Sequence, residues 1–407
     1  MNIIDGGVTS AKGFVAAGVH AGIRYKNRKD MALVYSKKEA VVAGVFTTNV
    51  VKAAPVLWDK DIVEKEEKAH AVILNSGIAN ACTSEAGKKI NEEMAEEVAN
   101  ALKISKRAVL TASTGVIGVQ IPMEKIKNGV ELLVPALSDS KEGGTLASEA
   151  IMTTDTIKKE CAIQFELNGK MVTIGGMSKG SGMIHPNMAT MLCVITTDAA
   201  ISKKMLQQAI SADVADSFNM ISVDRDTSTN DTYLLLANGL SENAEITKEG
   251  EDFTLFCEAL SIVTKTLAKT MAKDGEGATK LFETTVVHAK TKEEAIVLAK
   301  SVITSNLVKT AIYGSDANWG RILCALGYSG VEFNPEKVEL FIESNGDRLL
   351  LFEHGMATDY SEKEATKILS ADEVTAYVDM NMGEARATAW GCDLTYDYVK
   401  INGDYRS

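Results

Sequence analysis

Thr190 lies near the middle of the chain, after a glycine-bearing loop and before an apolar run. A threonine hydroxyl is a weak nucleophile unless a base lies beside it, and a free α-amine on the same residue can be that base. The reference pKa of such an amine is about 7.7–8.0, so a useful fraction is neutral near pH 7. Forming the amine requires cleavage of the bond between Ala189 and Thr190, in a loop that could strain this peptide. The stretch taken alone is equally compatible with Thr190 opening a buried strand, its hydroxyl bonded to the backbone.

A second candidate nucleophile is Ser178, because residues 176–180 read GMSKG and match the G-x-S-x-G pattern of the α/β-hydrolase nucleophile elbow. That elbow requires a helix directly after the serine. Gly180, Gly182 and Pro186 interrupt the next ten residues, so we expect no helix there and disfavour a serine hydrolase. His185 could act as a base, but a single loop histidine before a proline is more often solvated or a local hydrogen-bond partner.

Two strands upstream end in polar loops that could complete a site around such a nucleophile. An apolar strand at 69–74 precedes the loop 75–83. Residues 109–118 read as a second strand that runs into a turn of small residues. A loop after a buried strand is where α/β folds place ligand contacts, and the second turn leaves N–H groups and a hydroxyl free to face an anion. The loop 75–83 is also compatible with an ordinary turn that places Asn and Gly in left-handed geometry.

Alternation, four-residue periodicity and turn residues predict mixed strands and helices throughout, and therefore a layered α/β or α+β fold. The predicted strands are Phe14–Val19, 31–35, 40–46, a hairpin over 161–176 turning at Asn168 and Gly169, 191–197, 233–237 and Leu281–Ala289. The predicted helices are 85–102, 123–134 ending before Pro135, 145–152, 201–218, Glu251–Lys273 and 292–306, with an N-capped helix start within 316–321. The dense polar loop 222–232 precedes one of these strands.

Length and composition limit the class of protein. A chain of 407 residues, 45% apolar and 24% charged, predicts a soluble globular protein with two domains or one large layered fold. The net charge of -12 disfavours a nucleic-acid partner. The six cysteines are scattered without a C-x-x-C motif, which favours a reducing compartment over a disulfide framework or a zinc site. We found no signal peptide and no membrane-length apolar run, so we expect a cytoplasmic protein with no membrane partner and no metal.

Residues 179–192, KGSGMIHPNMATML, resemble the self-cleavage signature of the ornithine acetyltransferases, an arginine-biosynthesis family with bifunctional members. The resemblance covers the whole chain. Further matching segments lie at 75–83, 113–118, 151–156, 226–232, 274–280, 316–321 and 401–407. One departure is Arg225, where the family usually has glycine between two aspartates, and it puts the local loop geometry in doubt.

The resemblance implies an α/β layered sandwich of the ornithine acetyltransferase and D-aminopeptidase type, with a smaller C-terminal α+β domain at roughly 281–390. It also implies self-cleavage between Ala189 and Thr190 into residues 1–189 and 190–407. The implied activity is transfer of an acetyl group from N2-acetylornithine to glutamate through an acetyl-threonine enzyme with ping-pong kinetics. The implied assembly is a heterotetramer of two copies of each fragment.

The resemblance further implies a role for particular residues. Thr190 would be the nucleophile, and Thr114 with the N–H of Gly115 would form the oxyanion hole. Substrate-binding residues would be Thr153, Lys179, Glu276, Asn402 and Ser407. Lys179 suits a carboxylate shared by both amino acids and Glu276 suits the cationic ornithine amine, although each also fits a solvated loop charge. No cofactor is implied, and acetyl-CoA remains possible as a second donor substrate.

Two alternatives remain open at this point. An N-terminal-nucleophile aminopeptidase or amidase would share the self-processing but release its products by hydrolysis. A non-catalytic amino-acid-binding protein would bind ligand with neither cleavage nor turnover.

Overall fold

The computed structural model describes residues 1–185 and 191–405, which form fifteen strands and eleven α-helices within those ranges. The strands are β1 (Asn2–Ile4), β2 (Phe14–Val19), β3 (Met31–Phe46), β4 (Lys68–Asn75), β5 (Val109–Ser113), β6 (Lys159–Leu167), β7 (Lys170–Lys179), β8 (Leu192–Thr197), β9 (Thr232–Ala237), β10 (Leu281–Ala289), β11 (Glu339–Ser344), β12 (Asp347–Glu353), β13 (Met356–Ala357), β14 (Glu373–Asp379) and β15 (Ala385–Cys392). The helices are α1 (Ala54–Lys65), α2 (Ser84–Leu102), α3 (Met123–Ala136), α4 (Lys141–Ala150), α5 (Lys203–Asp216), α6 (Glu251–Lys273), α7 (Lys292–Ile303), α8 (Asn306–Tyr313), α9 (Trp319–Gly327), α10 (Glu362–Leu369) and α11 (Tyr396–Asp404).

The larger sheet has the order β1-β6-β7-β8-β9-β3-β4-β5, with β2 paired to β3 outside this path. Strand β3 changes partners along its length: residues 31–35 pair with β2 and β4, whereas residues 41–46 pair with β9. The two strands predicted at 31–35 and 40–46 are therefore one strand of sixteen residues. The prediction placed a break in the middle of β3 because residues 37–39 are charged, and these residues are exposed. The pairing with β4 shifts register at the same place.

The two halves of this sheet form two stacked layers with helices outside each, which confirms the predicted layered α/β fold. Side chains alternate along the strands, as expected for sheets buried on both faces. Cys193 and Ile195 of β8 face α5 and α6, whereas Val194 packs in a central core with residues of β2, β4 and β5. On the far side, Leu33 and Ile73 pack against α2 and α3. The order of layers is thus helix, sheet, sheet, helix.

A second sheet, in the order β13-β12-β11-β14-β10-β15, occupies the C-terminal part of the chain between residues 281 and 392. It is antiparallel except for the pair β10 and β14. Its core, with α7 to α10, is continuous with the core beneath α5 and α6. Within the described ranges no single helix is long and apolar enough to cross a membrane. Helices α7 and α8 would be long and apolar enough only if counted as one, and the two are bent by 58° relative to each other.

Several helix boundaries differ from the sequence predictions for local reasons. The predicted helix 292–306 is two helices, because Ser305 caps α8 by accepting a hydrogen bond from the N–H of Val308. Helix α3 continues to Ala136 and includes Pro135 in its last turn, where the prediction ended it. The hairpin prediction is confirmed: Asn168 and Gly169 have φ of 50° and 74°, the left-handed values of a tight turn between β6 and β7.

Candidate active site

A cavity of about 120 Å³ lies where β4, β5 and β7 end and β9 begins. Six of the residues that the sequence predicted for the site line it together: Thr114, Gly115, Thr153, Lys179, Glu276 and Asn402. These residues are as far apart in the sequence as Thr114 and Asn402, and the fold brings them into one cavity. Three further predicted residues, Ala189, Thr190 and Ser407, lie outside the described residues. The roles of all nine stay predictions.

One wall of the cavity is the turn after β5. The N–H groups of Thr114 and Val116 donate to the carbonyl oxygens of Asn75 and Gly77, at 3.0 and 3.1 Å. Among the described residues, the N–H of Gly115 between them has no hydrogen-bond acceptor. Gly115 has φ of 128°, and a Cβ at this position would clash with the carbonyl group of Gly77. The turn therefore leaves a backbone donor at the cavity, and it can do so only with glycine.

Asn230 holds this wall against the loop that follows β4. Its Nδ2 donates to the carbonyl oxygens of Ala79, at 2.6 Å, and Ser113, at 2.8 Å. Asn230 also lines the cavity and precedes β9, so it joins the two sheet layers at the site. The sequence predictions missed it as a site residue, although the dense polar loop 222–232 was the available signal.

Lys179 is the last residue of β7 and supplies the cationic part of the cavity. The residue is only 7% exposed, so the interpretation as a solvated loop charge is wrong. Within the described residues its ammonium forms one ion pair, at 3.9 Å from Asp155 Oδ2. Burial lowers the pKa of Lys179, and the neighbouring carboxylate of Asp155 opposes that shift.

Glu276 supplies the anionic part of the same cavity and is likewise buried. Its Oε2 accepts a hydrogen bond from Asn402 Nδ2 at 2.7 Å, which ties the carboxylate to α11. Its backbone N–H donates to the carbonyl oxygen of Ser181 at 2.8 Å. A Cβ at Gly182 would clash with the carboxylate of Glu276, so glycine is required there for the carboxylate to lie where it does.

Beneath Lys179 lies a buried ionic cluster, defined here as Asp155, Lys159, Asp274 and Lys179. Lys159 Nζ lies 2.7 Å from Asp155 Oδ1 and 2.6 Å from Asp274 Oδ2. Burial alone would raise the pKa of Asp155, but the two lysine ammonium groups lower it well below its usual range. Asp155 also accepts a hydrogen bond from the backbone N–H of Thr153 at 3.0 Å, and Thr153 lines the cavity. The substrate-binding role of Thr153 stays a prediction.

The two weaker candidates from the sequence are placed away from this chemistry. Ser178 lies inside β7, paired with Cys193, and its buried hydroxyl has no hydrogen-bond partner within the described residues. No elbow is formed there. His185 Nδ1 lies 3.0 Å from Ser222 Oγ, and burial, with nearby positive charge, lowers the pKa of His185 to about 4. His185 is therefore a neutral local hydrogen-bond partner near pH 7.

The loop with the unusual Arg225 holds the segment that leads into the predicted cut. Asp224 accepts hydrogen bonds from the N–H groups of Met183, at 2.6 Å, and Ile184, at 2.8 Å. Arg225 has φ of 73°, a conformation that favours glycine, so the departure from the family pattern keeps the loop geometry at a cost in backbone strain. After the segment, Thr232 N–H donates to the carbonyl oxygen of Met191 at 2.9 Å.

Within the described residues the chain has neither a metal-binding cluster nor a disulfide. Over residues 1–185 and 191–405, no group of three or more His, Cys, Asp and Glu side chains could hold a metal ion. All six cysteines are free, with Cys82 and Cys324 exposed.

The comparisons with known proteins agree on one family. A model of the ArgJ family matches residues 15–407. The arginine biosynthesis bifunctional protein ArgJ of Caldanaerobacter subterraneus subsp. tengcongensis is 52% identical over 407 residues, which cover 100% of both chains. ArgJ 1 of Clostridium acetobutylicum is 52% identical over 400 residues, 98% of this chain and 97% of the relative. The crystal structure of the arginine biosynthesis bifunctional protein argJ from Bacillus halodurans is 48% identical with a TM-score of 0.50, covering 52% of this chain and 98% of that chain.

Proposed function

The chain belongs to the ArgJ family, and from this premise we propose that the cavity beside Lys179 transfers an acetyl group from N2-acetylornithine to glutamate through Thr190. Membership makes the chain an acetyltransferase of arginine biosynthesis that acts on small molecules. The proposal concerns the residues that carry out the transfer, the cut that activates them and the substrates they select.

The observation that carries the proposal is the chemistry of the cavity wall. One space of about 120 Å³ is lined by three groups: the backbone N–H of Gly115, which has no acceptor among the described residues, the buried cation of Lys179 and the buried anion of Glu276. Acetylornithine needs these three partners, because it has an acyl oxygen that becomes negative, an α-carboxylate and a cationic side-chain amine. Glutamate shares the α-carboxylate, so Lys179 serves both substrates in turn.

In the first half-reaction the Oγ of Thr190 attacks the acetyl carbonyl carbon, while the α-amine of Thr190 takes the hydroxyl proton. The carbonyl oxygen becomes an oxyanion and accepts hydrogen bonds from Gly115 N–H and from Thr114. Each such donor is worth about 2.7–4 kcal/mol of transition-state stabilisation. The carbon–nitrogen bond then breaks, the proton passes to the ornithine nitrogen, and an acetyl ester remains on Thr190.

In the second half-reaction the neutral α-amine of glutamate attacks the acetyl ester. The ester bond to Oγ breaks, the proton returns to that oxygen through the α-amine of Thr190, and N-acetylglutamate leaves with the hydroxyl restored. The same oxyanion donors act in both directions, since both half-reactions pass through a tetrahedral carbon. Ping-pong kinetics follow because ornithine leaves before glutamate reacts.

Activation requires the bond before Thr190 to break, which divides the chain into 189 residues and, by 407 minus 189, 218 residues. One observation supports a position of Thr190 beside the cavity, and a second supports the cut. Thr190 is bonded to Met191, whose carbonyl is tied to the start of β9 at the edge of the cavity wall. In the solved structure from Bacillus halodurans, 98% of the matched chain aligns with only 52% of this chain. That solved chain is therefore about half as long as this one, as a cut fragment would be.

Intact-mass measurement with a denaturing gel tests the cut. We expect two fragments from the wild-type chain and a single species of 43.6 kDa from Thr190→Ala. A single uncut species from an active wild-type preparation would sink the proposal. Ser178→Ala is the matched control, because it removes the other candidate hydroxyl, and it should be cut like the wild type.

Mass spectrometry after mixing with N2-acetylornithine tests the nucleophile. An acetyl adduct is expected on the C-terminal fragment and should disappear when glutamate is added. Acetate release that is independent of glutamate would instead indicate the amidase alternative, and binding without any adduct would indicate a non-catalytic binding protein.

We include a second donor in the proposal, since the relatives are named bifunctional. Acetyl-CoA would acetylate the same threonine, and glutamate would accept the group as before. Formation of N-acetylglutamate from acetyl-CoA and glutamate, with no acetylornithine present, is the test. We further propose a heterotetramer of two copies of each fragment in the cytoplasm, which light scattering of the purified enzyme and fractionation of the cell would check.

A further inference from the structure

We propose that Asp155 is a positioning residue that keeps the ammonium of Lys179 charged and directed into the cavity, so that Lys179 binds the α-carboxylate common to both substrates. This inference rests on the role proposed above for Lys179. Asp155 itself does not line the cavity, so it acts through its neighbour rather than on the substrate.

The carboxylate of Asp155 is the centre of the ionic cluster. Its side chain is fully buried, and Oδ1 accepts from Lys159 Nζ and from the N–H of Gly180, both at 2.7 Å. Oδ2 accepts from the N–H of Thr153 at 3.0 Å and faces Lys179 Nζ at 3.9 Å. The residues on either side of this carboxylate, Thr153 and Lys179, both line the cavity, so one side chain fixes two parts of its wall.

The two lysines and two aspartates of the cluster have no net charge, but the two lysines do not contact the aspartates equally closely. Lys159 lies within 2.7 Å of both aspartates, and Asp274 is further held by the N–H of Thr156 at 3.1 Å. Among residues 1–185 and 191–405, the one ion-pair partner of the Lys179 ammonium is Asp155, at the longer distance of 3.9 Å. An ammonium that is buried, charged and not engaged by a short hydrogen bond keeps its donors for a ligand. The uneven sharing therefore leaves Lys179 available to a carboxylate.

The charge of Lys179 depends on this arrangement because burial disfavours the ammonium form. The groups that act on it are Asp155, Glu276 and Asp231, which raise the pKa of Lys179, and Lys159, which lowers it. Asp155 is the strongest of the acidic contributors. Without its charge, Lys179 and Lys159 would be two buried cations sharing a weaker set of counterions, and Lys179 would lose its proton at a lower pH.

Asp155→Asn keeps the shape of the side chain and an oxygen for Gly180 while it removes the charge. We expect the KM for both N2-acetylornithine and glutamate to rise about tenfold to a hundredfold near pH 8, the range for loss of a hydrogen bond to a charged group. We expect kcat per cut enzyme to change by less than about threefold. The ratio of variant to wild-type KM should fall towards one as the pH is lowered, because a lower pH restores the proton of Lys179. A KM ratio that is independent of pH would overturn the proposal.

Lys159→Gln is the second variant, and its expected effect has the opposite sign. Removing that cation raises the pKa of Lys179, so the pH at which KM begins to rise should move upward. A merely structural role for the cluster predicts the same loss in both variants, which would also overturn the proposal. In a Lys179→Met background, Asp155→Asn should have little further effect on KM. If it raised KM there as much as it does in the wild type, Asp155 would act through a group other than Lys179.

Asp198→Asn is the matched control, because Asp198 is another buried aspartate that accepts backbone N–H groups, from Thr173 at 2.8 Å and Lys12 at 3.1 Å, away from the cavity. Asp198→Asn should leave the pH dependence of KM for both substrates unchanged. If the wild-type enzyme formed no acetyl-threonine, the proposed function would fail before these variants were compared. If Asp155→Asn stayed uncut while Lys159→Gln was cut, the role of Asp155 would belong to maturation, and the positioning proposal would be wrong.

Discussion

Two buried aspartates in this molecule have opposite environments. Asp155 is surrounded by the ammonium groups of Lys159 and Lys179, and its pKa lies below the usual range. Asp213, on α5, accepts hydrogen bonds from neutral hydroxyl groups: Thr264 Oγ1 at 2.8 Å, and Tyr233 and Ser217 each at 3.2 Å. Burial raises the pKa of Asp213 to about 6.

The difference shows what each side chain does for the fold. Hydroxyl groups satisfy the oxygens of a carboxyl group without supplying a counterion, so they offset only part of the desolvation of its charge. Asp213 joins α5 to α6 and β9 as a hydrogen-bonded group deep in a core. Asp155 is ionised at all ordinary pH values and holds other charges in place beside the cavity. The buried charges beside the cavity are paired with opposite charges, whereas the layer of helices behind it surrounds the carboxyl group of Asp213 with a network of neutral hydroxyl donors.

The largest contrast is expected from the same substitution at both sites. At pH 7, Asp155→Asn should lower the free energy of unfolding by about 3–5 kcal/mol, because Lys159 and Lys179 lose a buried counterion. Asp213→Asn should not lower it at this pH, since it removes a desolvated charge. Urea unfolding followed by circular dichroism, in the uncut Thr190→Ala background and at fixed concentration, measures both. Equal losses at the two sites would remove the distinction.

The pH dependence of stability separates the two aspartates further. The folded pKa of Asp213 lies above its unfolded value, so its contribution is present below about pH 4 and is lost as the pH rises through about 6. Asp213→Asn should abolish this loss, and the variant should gain about 3 kcal/mol relative to wild type between pH 4 and pH 7. The contribution of Asp155 has the opposite sense, since its folded pKa is lowered, and it is lost only as the pH falls below about 4. A flat difference across this range would contradict the neutral network around Asp213.

The smallest effect tests a single hydroxyl of that network. Tyr233→Phe removes one donor to Asp213 and should cost about 1 kcal/mol of stability. The pKa of Asp213 should rise further, because the hydrogen bond from Tyr233 lowers it, and the pH window of the stability loss should move upward. The same unfolding series, repeated from pH 4 to pH 8, measures the shift. A window that moved downward would show that Tyr233 disfavours the ionised carboxylate.

Elements with a long, regular pattern were predictable from the sequence. Helix α6 and strand β10 have the predicted bounds, because both carry uninterrupted apolar periodicity between clear end signals. Strand β3 was divided in two, since its exposed charged middle resembles a turn although both ends continue one ladder. Strands β11 to β14 were not predicted, although burial alternates residue by residue along β11 and β14.

The cavity-lining residues were found through the family motifs and not through local pattern. Judged from their own short segments, Lys179 and Glu276 were each compatible with a solvated loop charge. A short segment carries no signal that distant loops will bury its side chains. The ionic cluster was missed for the same reason. Lys159 begins an otherwise ordinary strand, and its partner Asp274 lies 115 residues away. Long-range charge pairing of this kind becomes visible only when the fold has been built.

Strands β8 and β9 lie between β7 and β3, so for a chain cut before Thr190 both flanking strands belong to the N-terminal fragment. Two polypeptides made separately would each display unpaired strand edges until they met, and such edges invite aggregation. Synthesis as one chain makes the insertion intramolecular, with an effective concentration set by the linking loop and not by the cell. A cut of that one chain would also produce the two fragments in equal number. A cut that follows this insertion yields partners that have never been apart.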